Sequence, residues 1–385
     1  MQFLCLDDFE TAARRHLPLP VFSYVAGAAE TNCSFQANRH SFARYSFVPR
    51  VLVDISRRDT GVTLFGRRFD APFGIAPMGL AALSAYRGDL VLAGATAREN
   101  IPMVLSGSSL IALEDVARAN SDAWFQAYLP GDDAAITALL QRVQAAGYGT
   151  LVITVDTPVA ANRENNVRAG FSIPVRPSMR LAWQGMTHPR WLLGTFLRTL
   201  VRHGMPHFEN SYATRGAPIL SPNVERDLSD RGHLDWRHFR LVRQLWPGKL
   251  VIKGVLDARD ACMAVDAGAD GVIVSNHGGR QLDGSVAPLR VLPDIVAACP
   301  GVPVMLDSGV RRGSDVLKAL ALGAKFVFVG RPFSFAAAVG GETGVLQAIA
   351  LLKAEVSRNM GLLGVTSLQQ LDPGCLIDNY QGPSP

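Results

Sequence analysis

The chain has 385 residues, of which 48% are apolar and 18% charged. That balance is globular and excludes a disordered chain, and the length fits one α/β barrel carrying an insertion. The formal charge is only +5, with no basic run interleaved with aromatics. Nucleic acid is therefore not an expected partner, and an anionic substrate, cofactor or membrane surface fits better.

Residues 1–70 come first and are expected to cap a barrel with short helices. Asp7, Asp8 and Glu10 interrupt the start and no apolar core follows a basic beginning, so it does not read as a secretory signal. From about 71 to 335, short β-branched runs alternate with helical stretches. The runs are Phe73–Pro77, Pro102–Leu105, Trp124–Ala127, Leu151–Asp156, Leu250–Lys253, Gly271–Ser275, Val304–Asp307 and Phe326–Gly330. Read as strand–helix pairs they predict a closed parallel TIM (β/α)8 barrel, and they are apolar on both faces as buried parallel strands are. The spacing breaks once: roughly 95 residues separate the fourth run from the fifth, too many for one βα unit, which predicts an insertion over about 159–234. Residues 336–385 supply the last helix and a tail ending Gly382-Pro383-Ser384-Pro385, expected to fray.

The whole, 1–385, reads as a single domain. Cys5, Cys33, Cys262, Cys299 and Cys375 form no CxxC motif. They point to a reduced cytoplasmic protein, with no disulfide framework and no metal expected. No run of ~18 uncharged apolar residues occurs, so no membrane-spanning helix is expected.

A barrel enzyme works at the C-terminal ends of its strands. Polar or titratable residues follow nearly every run. Ala76-Pro77-Met78-Gly79 follows the first and Ser106 the second, with Gln126 and Tyr128 around the third. Thr154, Asp156 and then Arg163 belong to the fourth, and Lys253 to the fifth. Ser275 opens the loop after the sixth, Asp307 the loop after the seventh, and Gly330 follows the eighth. The seventh and eighth runs each end in glycine plus arginine, Gly309 with Arg311 and Gly330 with Arg331. Glycine lets a backbone approach an anion, arginine offers a planar fork of donors, and these two loops are the usual barrel phosphate site. The bland alternative is a pair of ordinary turns with solvated arginines. His277 and Arg280 lie three apart between glycines. They offer a general base near neutral pH and a two-point carboxylate clamp, although a lone histidine is more often structural.

The stretch Ser275-Asn276-His277-Gly278-Gly279-Arg280-Gln281-Leu282-Asp283 resembles the signature of the FMN-dependent 2-hydroxy acid dehydrogenase and oxidase family, which includes glycolate oxidase and the lactate and mandelate dehydrogenases. It is joined in order by Thr154-Val155-Asp156-Thr157-Pro158, Val251-Ile252-Lys253-Gly254, Leu306-Asp307-Ser308-Gly309-Val310-Arg311-Arg312-Gly313 and Gly330-Arg331-Pro332. Tyr24 lies in a stretch similar to the family's N-terminal cap. The resemblance covers essentially residues 4–370.

It implies FMN across the barrel mouth. The phosphate would meet Gly309, Arg311, Gly330 and Arg331. The rest of the cofactor would meet Ala76, Pro77, Met78, Ser106, Gln126, Thr154, Lys253, Ser275 and Asp307, with the Lys253 cation beside the flavin's N1–C2=O edge. The substrate carboxylate would be held by Arg163 and Arg280, with Tyr24 assisting. His277 would take the proton, Asp156 would orient it, and Tyr128 would hydrogen-bond the substrate hydroxyl.

Gly79 stands where the family's oxidases tend to carry alanine and its lactate and mandelate dehydrogenases glycine. That implies a dehydrogenase passing electrons to a quinone or other acceptor; the alternative is an oxidase turning O2 into H2O2. Ser108 and Ala160 stand where glycolate oxidase has bulky residues, implying room for a lactate- or mandelate-like acid. Around 181–210 the insertion mixes Trp, Leu and Phe with Arg, resembling the segment by which mandelate and lactate dehydrogenases associate with membranes. The chain is thus expected to be cytoplasmic and peripheral on the cytoplasmic face of the cell membrane, the alternative for this segment being a surface helix or a subunit contact, and to be a homotetramer like its family. Rival readings are an FMN barrel isomerase, which would lack the His277–Arg280 pair and Arg163, a non-catalytic flavoprotein, and a phosphate-sugar barrel enzyme without flavin.

Overall fold

The computed structural model describes residues 2–222 and 231–379. All eight anticipated strands form: β1 (Phe73–Ile75), β2 (Val104–Ser106), β3 (Trp124–Ala127), β4 (Thr150–Thr154), β5 (Lys249–Val255), β6 (Gly271–Val274), β7 (Val304–Leu306) and β8 (Phe326–Val329). Neighbours pair in parallel from β2 round to β8 and on to β1. A single parallel bridge between Ile75 and Met103, with Ile75 N donating to the Pro102 carbonyl at 2.9 Å, closes the ring. The register sets Ser106 beside Gln126 and Thr154 beside Lys253. Residues predicted to face one mouth therefore do share one end of the barrel.

Two apolar layers hold this together. Residues facing outward from the strands pack against the surrounding helices. Inward-facing Val104, Trp124, Val152, Val251, Ile273, Met305, Phe326 and Phe328 fill the barrel itself. This inner layer extends into a feature not anticipated from sequence, an antiparallel hairpin of Val62–Leu64 and Arg67–Phe69. Phe65 sits 5.5 Å from the Trp124 ring and Phe69 6.1 Å from the Phe326 ring. Both partners begin their strands, so the hairpin stoppers the end of the barrel opposite the site. The leading segment also carries the expected helices, Leu6–His16, Leu19–Ala26 and Cys33–Ala43.

Within the insertion, helices span Glu164–Ala169 and Met179–Met186, and a continuous helical stretch runs over 189–203 with a π-helical turn at Leu192–Leu197. One side is tied down: Trp191 Nε1 donates to the Leu83 carbonyl at 2.9 Å, and the His203 ring meets Tyr86 Oη at 2.9 Å. The other side leaves Met179, Trp183, Met186, Leu193 and Val201 exposed. Residues 223–230 of the insertion and the Gly-Pro-Ser-Pro tail lie outside the described residues.

One helix meets the length and apolarity of a membrane span yet belongs to the core. The helix Arg331–Leu363 is 33 residues long and apolar enough to cross a membrane. It is broken at Gly341, where φ is 56°, and buries Phe333, Phe335, Val345, Ile349, Leu352 and Val356 in the core. Scattered charges hide it from a search for an uninterrupted apolar run; its apolarity serves packing along the barrel and the leading helix.

Candidate active site

A cavity of about 960 Å³ opens at the C-terminal ends of the strands. Its wall contains Tyr24, Ala76, Pro77, Met78, Gly79, Ser108, Tyr128, Thr154, Ala160, Arg163, Lys253, His277, Arg280, Asp307, Gly309, Arg311, Gly330 and Arg331. Four other residues singled out from sequence, Ser106, Gln126, Asp156 and Ser275, stand one layer behind. Ser106 Oγ donates to Gln126 Oε1 at 3.1 Å, and Gln126 is wholly buried.

The loop after β6 is wound tightly. His277 adopts a left-handed φ of 56°, followed by Gly278 at 67° and Gly279 at 73°. This winding aims His277 Nδ1 at Asp156 Oδ1, 2.9 Å away. Ser275 Oγ accepts from the His277 backbone N–H at 3.0 Å and from Lys253 Nζ at 2.9 Å. Lys253 is 3% exposed and pairs with Asp307 at 3.1 Å.

These contacts set the charges. Burial pushes the His277 imidazole below its ordinary 6.5, against the pull of Asp156. Burial alone would raise Asp156, but His277 and Lys253 outweigh it and hold the carboxyl below its usual range. Likewise burial would lower Lys253, yet Asp307 and Asp156 keep it raised and charged. The site therefore holds a neutral base beside a carboxylate, and a fixed cation one strand away.

Two adjoining groups of arginines stand beside this pair. At one, Gly309 has φ 90°, and a Cβ there would fall 2.4 Å from the Asn38 carbonyl oxygen, so only glycine fits. Among the described residues, Arg311 Nε and Nη2, Gln126 Nε2 and Thr154 Oγ1 are buried without hydrogen-bond partners, with Asp7 Oδ1 3.6 Å from Arg311 Nε. Burial pushes Arg311 down to about 10, and burial together with Arg280 and Arg311 pushes Arg331 well below its ordinary value. Cations crowded in this way favour a bound anion. Arg331 is steadied by the carbonyls of Val25 and Gly27 at 3.1 and 2.8 Å.

Adjoining these, Arg280 Nη1 donates to the Tyr24 carbonyl at 2.8 Å and to the same Gly27 carbonyl at 2.9 Å, while burial and Arg163 push it down to about 10. Arg163 Nη2 donates to Gln281 Oε1 at 3.0 Å. Gly79 lies between Tyr24 and Ser108: a Cβ there would come 3.1 Å from the tyrosine hydroxyl and 3.2 Å from the serine Cβ.

Sequence reading missed several wall residues. Phe171 packs its ring 4.8 Å from Tyr24, and Ile173, Phe208 and Arg231 also reach the cavity. All four belong to the insertion, where no strand end marks them. The profile of the FMN-dependent dehydrogenase family matches residues 13–378.

The chain belongs to the FMN-dependent dehydrogenase family.

Relatives in that family are similar over nearly their full length. The (S)-mandelate dehydrogenase of Pseudomonas putida is 39% identical over 372 residues, 96% of this chain and 93% of that protein. An L-lactate oxidase of Nostoc sp. is 39% identical over 379 residues, 96% and 97% of the two chains. Among solved structures, the monotopic membrane protein (S)-mandelate dehydrogenase superposes with a TM-score of 0.90 at 38% identity, covering 98% of this chain and all of that one. A mandelate oxidase with benzoyl-formic acid gives 0.80 at 34%, covering 98% of each. The family's cofactor is FMN, and the unsatisfied hydrogen-bond donors of Gln126, Thr154 and Arg311, with the narrow Gly309 turn, suit a flavin mononucleotide.

Proposed function

We propose that this member of the family oxidises an (S)-2-hydroxy acid to the 2-oxo acid. The observation that carries the reading is one cavity joining a carboxylate-paired neutral histidine to two groups of arginines, Arg311 with Arg331 and Arg163 with Arg280, which adjoin at the Gly27 carbonyl. FMN, when bound, supplies the two-electron acceptor. Gly309, Arg311, Gly330 and Arg331 would hold its phosphate, and Ala76, Pro77, Met78, Ser106, Gln126, Thr154, Ser275 and Asp307 would shape the rest of its bed.

Arg163 and Arg280 bind the substrate carboxylate with Tyr24 assisting, which orients the reacting carbon. Tyr128 donates to the substrate hydroxyl oxygen. His277 takes up the proton that the substrate gives up, from the hydroxyl or from Cα, and becomes an imidazolium that Asp156 stabilises and keeps in register. Lys253 keeps a positive charge where negative charge develops.

Ser108 and Ala160 leave space beyond the reacting carbon, which supports a lactate- to mandelate-like side chain. Gly79 supports a dehydrogenase that hands electrons to a quinone or another acceptor. The second reading is an oxidase that reduces O2 to H2O2, favoured by the similarity to an L-lactate oxidase and a mandelate oxidase. Anaerobic mixing with (S)-lactate and (S)-mandelate is expected to bleach the yellow enzyme quickly, and air to restore the colour slowly. Fast recolouring with peroxide selects the oxidase; no bleaching by any 2-hydroxy acid overturns the reading.

The exposed apolar side of 179–203 and its arginines support a peripheral seat on the membrane; the cytoplasmic face and a homotetramer are what the family resemblance implies. The similarity to a monotopic membrane protein supports the same placement. In flotation with vesicles carrying anionic lipid the protein should rise with the lipid. Trp183→Glu, Leu193→Glu and Val201→Glu together should leave it at the bottom with turnover of soluble substrate intact. Wild-type protein that ignores the vesicles would remove the membrane from the proposal.

A further inference from the structure

Tyr128 is half-buried in the cavity wall, and its environment contains a cation that the reaction described above does not use. The guanidinium carbon of Arg231 lies 4.3 Å from the centroid of the Tyr128 ring. Arg231 is itself only 9% exposed, and it forms part of the wall between the main cavity and a smaller one of about 310 Å³ behind it. The two residues are 103 positions apart, brought together because the insertion returns over the end of β3 just before β5 begins.

A cation over an aromatic face is attracted by the ring's electrons, and the attraction grows when both groups leave water. It also draws density away from the phenol oxygen, which makes the O–H a stronger donor. Burial works in the opposite direction, raising Tyr128, and Arg231 is the largest charge that opposes it, ahead of Lys253 and Arg163.

We infer that Arg231 is a positioning residue for Tyr128: it fixes the ring in the cavity wall and strengthens the phenol as donor to the oxygen on the substrate's reacting carbon. No atom is exchanged in this role. The substrate proton still goes to His277, and Tyr128 keeps its own. The inference rests on the reading that Tyr128 contacts the substrate hydroxyl, and it adds a residue from the insertion to the machinery of the barrel.

The test is a double-mutant cycle on the FMN-loaded enzyme, read as the anaerobic bleaching rate with whichever of (S)-lactate or (S)-mandelate reacts. Arg231→Met keeps the length and removes the charge. It should slow bleaching between about twofold and thirtyfold, the span covered by cation–π energies of ~0.5–2 kcal/mol, and change KM less than kcat. Arg231→Lys should recover part of the loss. In a Tyr128→Phe background, Arg231→Met should cost nothing further, because the phenol it acts on is gone. Ultraviolet difference titration should place Tyr128 ionisation at higher pH in Arg231→Met than in wild type, a change that a merely structural arginine would not produce.

Equal losses from Arg231→Met in both backgrounds overturn the inference, as does a rise in KM alone, which would make Arg231 a direct substrate contact. A Tyr128→Phe enzyme with wild-type rates instead removes the underlying reading of Tyr128. If Arg231→Met does not fold, Arg231→Gln and Arg231→Lys carry the same cycle.

Discussion

Replacing His277 with asparagine is expected to leave a folded, yellow enzyme whose reduction by substrate is slower by a factor of about 10²–10⁴, the range that a general base contributes. The folded state should survive because the backbone there is left-handed, φ 56°, and asparagine tolerates that region better than other non-glycine residues. Ser275 Oγ would still accept the backbone N–H of residue 277. Flavin absorbance after gel filtration reports cofactor retention, and anaerobic stopped flow reports the rate. A rate within about tenfold of wild type would sink the base assignment. The wild-type pH profile gives an independent check. Burial lowers the His277 pKa below 6.5, so the neutral, proton-accepting form prevails at pH 7. The bleaching rate should stay level through neutrality and fall only as acid protonates the imidazole, with its limb on the acidic side of an ordinary histidine.

The second large effect is expected from Lys253→Met. Methionine matches the stem but removes the ammonium that faces Asp307 Oδ2 at 3.1 Å and Ser275 Oγ at 2.9 Å. Asp307 is then a buried carboxylate without its cation. Breaking a buried pair from one side costs about 3–5 kcal/mol. For a chain of this length that corresponds to a Tm lower by about 4–6 °C, measurable by differential scanning fluorimetry. FMN should also dissociate more readily, since the positive charge next to its bed is lost. Adding Asp307→Asn should restore part of the Tm and none of the activity. If Lys253→Met melts with wild type, the pair is not the support described here.

Much of this was legible in the chain because its signals are local. Each strand is an apolar run ending in a polar residue, so the ring of Ala76, Ser106, Gln126, Thr154, Lys253, Ser275 and Asp307 follows from reading strand ends in order. His277 and Arg280 announce themselves among glycines that the tight loop requires. The rest depends on distant segments meeting. The stoppering hairpin has two strands of three residues each, too short for alternation to stand out, and it is fixed by Trp124 and Phe326 rather than by its own sequence. Arg231 reads as one more charge near a helix start until its position over Tyr128 is known. Four expected cofactor or catalytic residues lie behind the wall rather than in it: Asp156 and Ser275 hydrogen-bond His277, and Ser106 and Gln126 bond each other.

The closure of the barrel by a single bridge at Ile75 and Met103 bears on how such an enzyme diversifies. Elsewhere neighbouring strands share ladders of two to five residue pairs, and the anion-holding loops of β7 and β8 grow from that continuous part. The seam lies beneath Gly79 and Ser108, the residues proposed to bound the space for the substrate's side chain. A mutation that widens or narrows that space therefore strains the barrel where it is least stitched, and leaves the grip on the phosphate untouched. Substrate range and cofactor affinity are in this way mechanically separable, so selection can alter the first without reopening the second.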